Sequence, residues 1–132
     1  MPNPVKTRPI ELTLPADKKL LLVIRLTTAG VVARAGVTVD RMDDLKLAVE
    51  EACNCLMDQG CAAEKLNICF DLKENGLEIR VSVEADQLSA GNKTQDDLEI
   101  EKCILESLVE NVEFELRNGW IHAICMTTAA AQ

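Results

Sequence analysis

Apolar positions recur along this chain with two periods, and the switches between them mark its elements. Ile10, Leu12 and Leu14 alternate with Glu11 and Thr13, as in a half-buried strand that Pro15 ends. Asp17 is placed to cap a helix over residues 18–35, with a stripe of Leu20, Leu21, Ile24, Val31 and Ala35 and with Val23 and Leu26 beside it. Gly30 weakens its middle, and Gly36 stands at its end. The clearest helix covers residues 43–59. Leu45, Ala48, Val49, Ala52 and Leu56 form its stripe, Asp43 and Asp44 lie at its start, and Gly60 is its stop signal. Its second face lines up Leu47, Glu51, Cys55 and Asp58.

The period then returns to two. Leu66, Ile68, Phe70 and Leu72 form one strand and Leu77, Ile79, Val81 and Val83 the next, joined by the turn Glu74-Asn75-Gly76. Residues 85–97 read as a loop. Asp96 or Asp97 caps a third helix over residues 98–111, with a stripe of Ile100, Cys103, Ile104, Ser107 and Leu108. Val112, Phe114 and Leu116 alternate as a strand, Asn118-Gly119 turns the chain, and Trp120, His122, Ile124 and Met126 alternate with Ile121, Ala123 and Cys125. The expected organisation is an extended arm over residues 1–9, one domain over 10–127 and a fraying tail over 128–132. One-faced strands and three amphipathic helices predict an α+β two-layer sandwich.

Composition narrows the function classes. Apolar residues make up 48%, enough for one core, while aromatics make up 2%. Scarce aromatics and a net charge of −8 argue against nucleic acid, which needs stacking and a basic patch. An acidic chain more naturally meets a basic protein. No apolar run is long enough to span a bilayer and the first residues lack a signal-peptide core, so the expected location is cytoplasmic, with no membrane contact. Cys53, Cys55, Cys61, Cys69, Cys103 and Cys125 are scattered, without a Cys-x-x-Cys pair, and read as free thiols with no metal site. His122, the only histidine, lies on a strand and reads as a packed or edge residue. No serine–histidine or serine–lysine set supports hydrolase chemistry.

The stretch Leu-Lys-Leu-Ala-Val-Glu-Glu-Ala-Cys-Asn over residues 45–54 resembles the signature helix of the anti-sigma factor serine kinases, of the histidine-kinase-like ATPase superfamily. The resemblance runs from about Ile10 to Thr127. It implies that superfamily's fold, with three helices on one face of a mixed, mostly antiparallel sheet. It also implies ATP and magnesium as cofactors, a sigma factor and an anti-anti-sigma protein as partners, and a homodimer.

In the family the helix carries a Glu as general base and an Asn as magnesium ligand. Glu51 matches the Glu, Asn54 falls on a Thr, and Cys55 stands at the Asn. Sulfur is a poor magnesium ligand. Asn54, one residue away, is expected to face elsewhere, and Asp58 is a candidate from the next turn. The adenine-binding Asp and the Gly two residues on correspond to Val83 and Ala85, and Val83 cannot accept a hydrogen bond. The glycine-rich phosphate lid corresponds to Gln95-Asp96-Asp97-Leu98-Glu99-Ile100, which has no glycine and three carboxylates; Gly91 is the loop's one glycine.

The reading that follows is an anti-sigma-factor-like regulator with a degenerate ATP site and no cofactor. Its first rival is an active serine-protein kinase with Glu51 as base. Its second is a thiol sensor using Cys53, Cys55 and Cys61.

Overall fold

The structure is a computed structural model that describes residues 8–59, 63–74, 76–85 and 93–129. Most of the expected arm, Gly60, Cys61, the turn residue Asn75, the centre of the loop with Gly91, and residues 130–132 lie outside that set.

Strand β1 (Ile10–Pro15) leads through a 3-10 turn (Lys18–Leu20) into α1 (Leu21–Arg34) and then α2 (Val39–Met57). β2 (Ala63–Lys73) and β3 (Gly76–Ala85) follow, then α3 (Gln95–Glu106), β4 (Asn111–Arg117) and β5 (Trp120–Ala129). The five strands form one sheet in the order β1-β2-β3-β5-β4, with the three helices packed on one face. All four pairings are antiparallel, where a mixed sheet was expected.

Each strand contributes its apolar alternation to the helix side. Leu66, Ile68 and Phe70 of β2 and Leu77, Ile79, Val81 and Val83 of β3 are buried against the helices. α2 supplies the facing surface: Leu45, Ala48, Val49, Ala52, Cys53 and Leu56 are 0–1% exposed. The small Ala48 and Ala52 let the helix sit close to the strands. α2 begins four residues earlier than expected, because Thr38 caps it by accepting a hydrogen bond from the Arg41 N–H. Asp40, not Asp43 or Asp44, is therefore the carboxylate of the first turn.

α1 is apolar almost all round. It buries Ile24, Thr28, Val31 and Val32 and leaves Leu22, Val23 and Leu26 exposed. Its buried Thr28 hydroxyl is satisfied by the Ile24 carbonyl oxygen at 2.7 Å.

Two hairpins hold register as their turn residues demand. Asn118 (φ 51°) and Gly119 (φ 81°) take the left-handed conformations of a tight hairpin. At Gly76 any Cβ would collide with the Thr128 carbonyl oxygen, so the start of β3 can approach the end of β5 only as glycine. β5 continues through Thr128, which is buried and hydrogen-bonded by Arg41, so this strand extends into the stretch expected to fray.

β5 also breaks its own alternation. Its partners on β4 jump from Ala123 to Ile121, leaving His122 as an extra residue. On the other side the β3–β5 ladder ends at Ser82 and Ala123. Gln59, just past α2, fills the next position. Its side-chain amide donates to the Ile121 carbonyl at 2.6 Å and accepts from the Ile121 N–H at 2.7 Å. A third bond, to the Leu56 carbonyl at 3.1 Å, holds the side chain against its own helix. Gln59 is 1% exposed, so one carboxamide completes a ladder rung that no strand supplies.

Gln59→Ala therefore strands a buried N–H and a buried C=O. The expected loss is about 2–6 kcal/mol, at about 1–3 kcal/mol for each unsatisfied group. That lowers the melting temperature by roughly 6–24 °C for a domain of this size. Calorimetric melting of Gln59→Ala and of Gln59→Glu, which cannot donate to Ile121, checks this. A change under about 2 °C in both would refute the rung.

Candidate functional site

Glu51, Asn54, Cys55 and Asp58 stand at i, i+3, i+4 and i+7 on α2 and so share one side of the helix. Together with Glu101, Ile104 and Leu105 of α3 they line a cavity of ≈ 140 Å³. Asn54 was expected on a different face. It borders the same space as Cys55, because the two flank the line that Glu51 and Asp58 define. Asp58 is held at the cavity's edge by Lys18, whose Nζ lies 2.7 Å from Oδ1 and 3.0 Å from Oδ2. Glu51 is half-buried and makes no hydrogen bond or ion pair within the described residues. Its neighbour Glu50 instead ties α2 to α1 through Arg25 at 2.6 Å.

A cation stands beside two of the residues that line the cavity. Lys93 comes just before α3, and its side chain is 8% exposed. Its Nζ pairs with Glu101 Oε1 and lies 3.9 Å from Cys55 Sγ. The second oxygen of Glu101 is buried without a partner. Burial pushes the Cys55 thiol up to about 12. The Glu101 carboxylate adds to the rise, and the Lys93 ammonium partly opposes it. Burial and then Glu50 hold the Cys53 thiol near 12 as well. Both groups are thus protonated and unreactive at neutral pH.

The start of α3 is satisfied from within. It begins three residues earlier than expected, with Thr94 and not an aspartate as its cap. Thr94 Oγ1 accepts from the Asp97 N–H at 3.1 Å, and Asp97 Oδ2 accepts from the Thr94 N–H at 3.0 Å. These bonds hold the Asp97 carboxyl below the usual carboxylate range. Two amides at this helix start are thus taken within the same turn, the Thr94 N–H by a carboxylate and the Asp97 N–H by a hydroxyl.

Val83 and Ala85 do not share the α2 cavity. They line a separate one of ≈ 340 Å³ with Glu64, Lys65, Glu84, Arg117, Trp120 and His122. The five α2 and β3 positions singled out with Glu51 are therefore divided between two cavities. His122 packs edge-on against Trp120, with ring centroids 5.9 Å apart. Burial, then Arg117 and Arg80, lower its pKa from the ordinary value.

Magnesium wants several oxygen ligands in a tight octahedron. Here the family's ligand position carries the Cys55 thiol, and the neighbouring Glu101 is neutralised by Lys93. No group of three or more His, Cys, Asp or Glu side chains among the described residues is arranged to hold a metal. A cavity of ≈ 140 Å³ is also smaller than the ~300–1,000 Å³ of ordinary ligand sites. The donors around Cys55 therefore suit magnesium poorly.

The sequence missed Lys93 and Glu101, the ion pair beside the cavity. One signal was available for the helix start: Thr94-Gln95-Asp96-Asp97 has the spacing of a capping box. Nothing in the local sequence pairs Lys93 with Glu101.

Residues 14–120 match the histidine kinase-like ATPase domain. The chain is 38% identical over 90 residues to the serine-protein kinase RsbW of Bacillus subtilis (strain 168), a match covering 66% of this chain and 56% of that protein. It is 39% identical over 75 residues to the serine-protein kinase RsbW of Bacillus cereus (strain AH820), covering 55% and 47%. The chain thus spans about half the length of these curated relatives. A crystal structure of the RsbU and RsbW domains of a Mycobacterium tuberculosis protein superposes with a TM-score of 0.73 at 15% identity, covering 96% of this chain and 34% of that one. That likeness speaks for the fold. No helix among the described residues is long and apolar enough to cross a membrane.

Cys53, Cys55, Cys69, Cys103 and Cys125 are free thiols. At pH 8 a thiol with a pKa near 12 is roughly three orders of magnitude less ionised than one near 8.5. Iodoacetamide is therefore expected to alkylate the exposed Cys103 while Cys53 and Cys55 stay unmodified, with all of them labelled in urea. Peptide mapping by mass spectrometry reads the order. Early labelling of Cys55 would contradict the buried, protonated thiol and favour a redox role.

Proposed function

The chain belongs to the histidine-kinase-like ATPase family, and from that premise we propose that it is an anti-sigma-factor-like regulator. In this reading it controls transcription by binding a sigma factor, an anti-anti-sigma protein, or both, and its ATP site is degenerate. The observation that supports this most is the ammonium of Lys93 on Glu101 beside Cys55. A built-in cation lies beside the residue that stands at the family's magnesium-binding Asn. A second cation there would meet like charge and a thiol in place of an oxygen.

Two further positions support the reading. Val83 offers adenine no acceptor, and the capping box of Thr94 and Asp97 takes up amides that would otherwise face a phosphate. Each lost polar contact costs about 1–3 kcal/mol when its partner is left unpaired. Three such losses weaken nucleotide binding by about two to six orders of magnitude if they add.

The retained Glu51, at the rim of the cavity, favours a second reading. The chain would then be an active serine-protein kinase that phosphorylates an anti-anti-sigma protein with Glu51 as base. The name of its RsbW relatives points the same way.

Isothermal calorimetry separates the two. ATP is expected to give no binding heat at micromolar protein, with or without magnesium. The variant Cys55→Asn with Val83→Asp should recover measurable binding, more so when Lys93→Ala is added. Titration with sigma factors should yield a complex that forms without nucleotide. Micromolar ATP affinity in the unaltered chain, or phosphoryl transfer to a serine of an anti-anti-sigma protein, would establish the kinase reading instead.

A further inference from the structure

Three residues of the α3 stripe that the sequence assigns to the core face solvent. Ile100 is 60% and Ile104 44% exposed, and Cys103 is exposed with them. The helix meets the body through Leu98, Glu101, Leu105 and the inner side of Ile104, which also borders the cavity beside α2, and of these only Leu105 is fully buried. Ile100, Cys103 and Ile104, with Asp96 and Glu99, wall a shallow surface groove of ≈ 510 Å³. Isoleucines left in water at i and i+4, on a helix that already has a core-facing side, mark a surface built to be covered.

The rim says what covers it. Asp97 is used in the cap and Glu101 by Lys93, but Asp96 and Glu99 have no hydrogen-bond or ion-pair partner within the described residues. Two uncommitted carboxylates beside two exposed isoleucines fit a helix that carries an apolar stripe flanked by Lys and Arg. A second copy of the chain fits poorly, because a twofold contact through this face would set the same carboxylates against one another. Nucleic acid and anionic membrane fail on the same charge, in a chain of net −8.

We propose that the outer face of α3, centred on Ile100 and Ile104 and rimmed by Asp96 and Glu99, docks a basic amphipathic helix of a protein partner. This deepens the regulatory reading by giving its partner a chemistry, and it rests on that reading only in treating the partner as a regulator. Ile100 and Ile104 act as anchors that lose their exposed area, and the carboxylates select the partner by sign and speed its approach.

The test uses the full chain and two synthetic peptides of about 15 residues, the length at which a helix becomes accessible in water. One is an amphipathic helix of Leu and Lys, and the other replaces every Lys with Glu. Amide chemical shifts should move at Asp96, Glu99, Ile100, Cys103 and Ile104 with the Leu/Lys peptide, more weakly as salt rises, and not with the Leu/Glu peptide. The same peptide should slow alkylation of Cys103. Ile100→Ser with Ile104→Ser should weaken binding at least about tenfold and leave the melting temperature within about 2 °C, as expected for exposed positions. Asp96→Lys with Glu99→Lys should invert the preference between the peptides.

Shifts centred on another face, equal binding of both peptides, or a chain dimer abolished by Ile100→Ser with Ile104→Ser would each overturn the proposal. If the peptides fail but a sigma factor still binds without nucleotide, the α3 assignment falls and the regulatory reading stands. If the peptides bind as described while ATP binds at micromolar concentration, the docking face stands and the degenerate site falls.

Discussion

A lysine ammonium with 8% of its side chain exposed needs a compensating charge, and Lys93 finds it in Glu101. The geometry of α3 depends on that pairing. Glu101 must face inward to reach Nζ, and on a helix the residues that share its side are three and four positions away. Leu98 and Leu105 therefore turn toward the body with it, and Ile100 and Cys103 turn out. Breaking a buried pair by removing one partner typically costs about 3–5 kcal/mol, more than burying one exposed isoleucine returns at about 1.5–3 kcal/mol. The salt bridge beside the α2 cavity and the exposed isoleucines of α3 are consistent with one another through this ion pair.

α2 carries the complementary constraint. Its core stripe is so closely packed that the helix cannot roll, with Ala48, Val49, Ala52, Cys53 and Leu56 all fully buried. Whatever stands at 51, 54, 55 and 58 must then face α3. A thiol at 55 suits that position once the neighbouring charge is paired, because a protonated thiol is a small, weakly polar group that tolerates burial. Beside it, Glu101 keeps one buried oxygen without a partner.

The fold was legible because it is written in local periods. The alternations of β2 and β3 and the 3.6-residue stripe of α2 each survive in the structure with the buried set that the sequence marks. The Asn118-Gly119 turn survives for the same reason: its conformations are demanded by the residues themselves. What failed was non-local. The pattern of α3 has two apolar sides, and sequence alone takes the richer one for the core; the choice is made by a salt bridge to a residue outside the helix. The alternation read through Trp120 and His122 breaks at a bulge, whose cause lies in the opposing strand and in Gln59. Glu51, Asn54, Cys55 and Asp58 come together because they share a helix. Val83 and Ala85 fall elsewhere because the shape between helix and sheet, which no local pattern encodes, separates them.

The proposed function also constrains how such a regulator would be controlled. A ligand shifts an equilibrium only by its differential affinity for the states involved. Under the proposed reading no nucleotide supplies that difference, and release of one partner would come from another that competes for the same or an overlapping surface. A docking face of exposed isoleucines and acids on α3 suits that regime. Its contacts are rim charges and a small apolar anchor, which favour fast association and exchange over permanent capture.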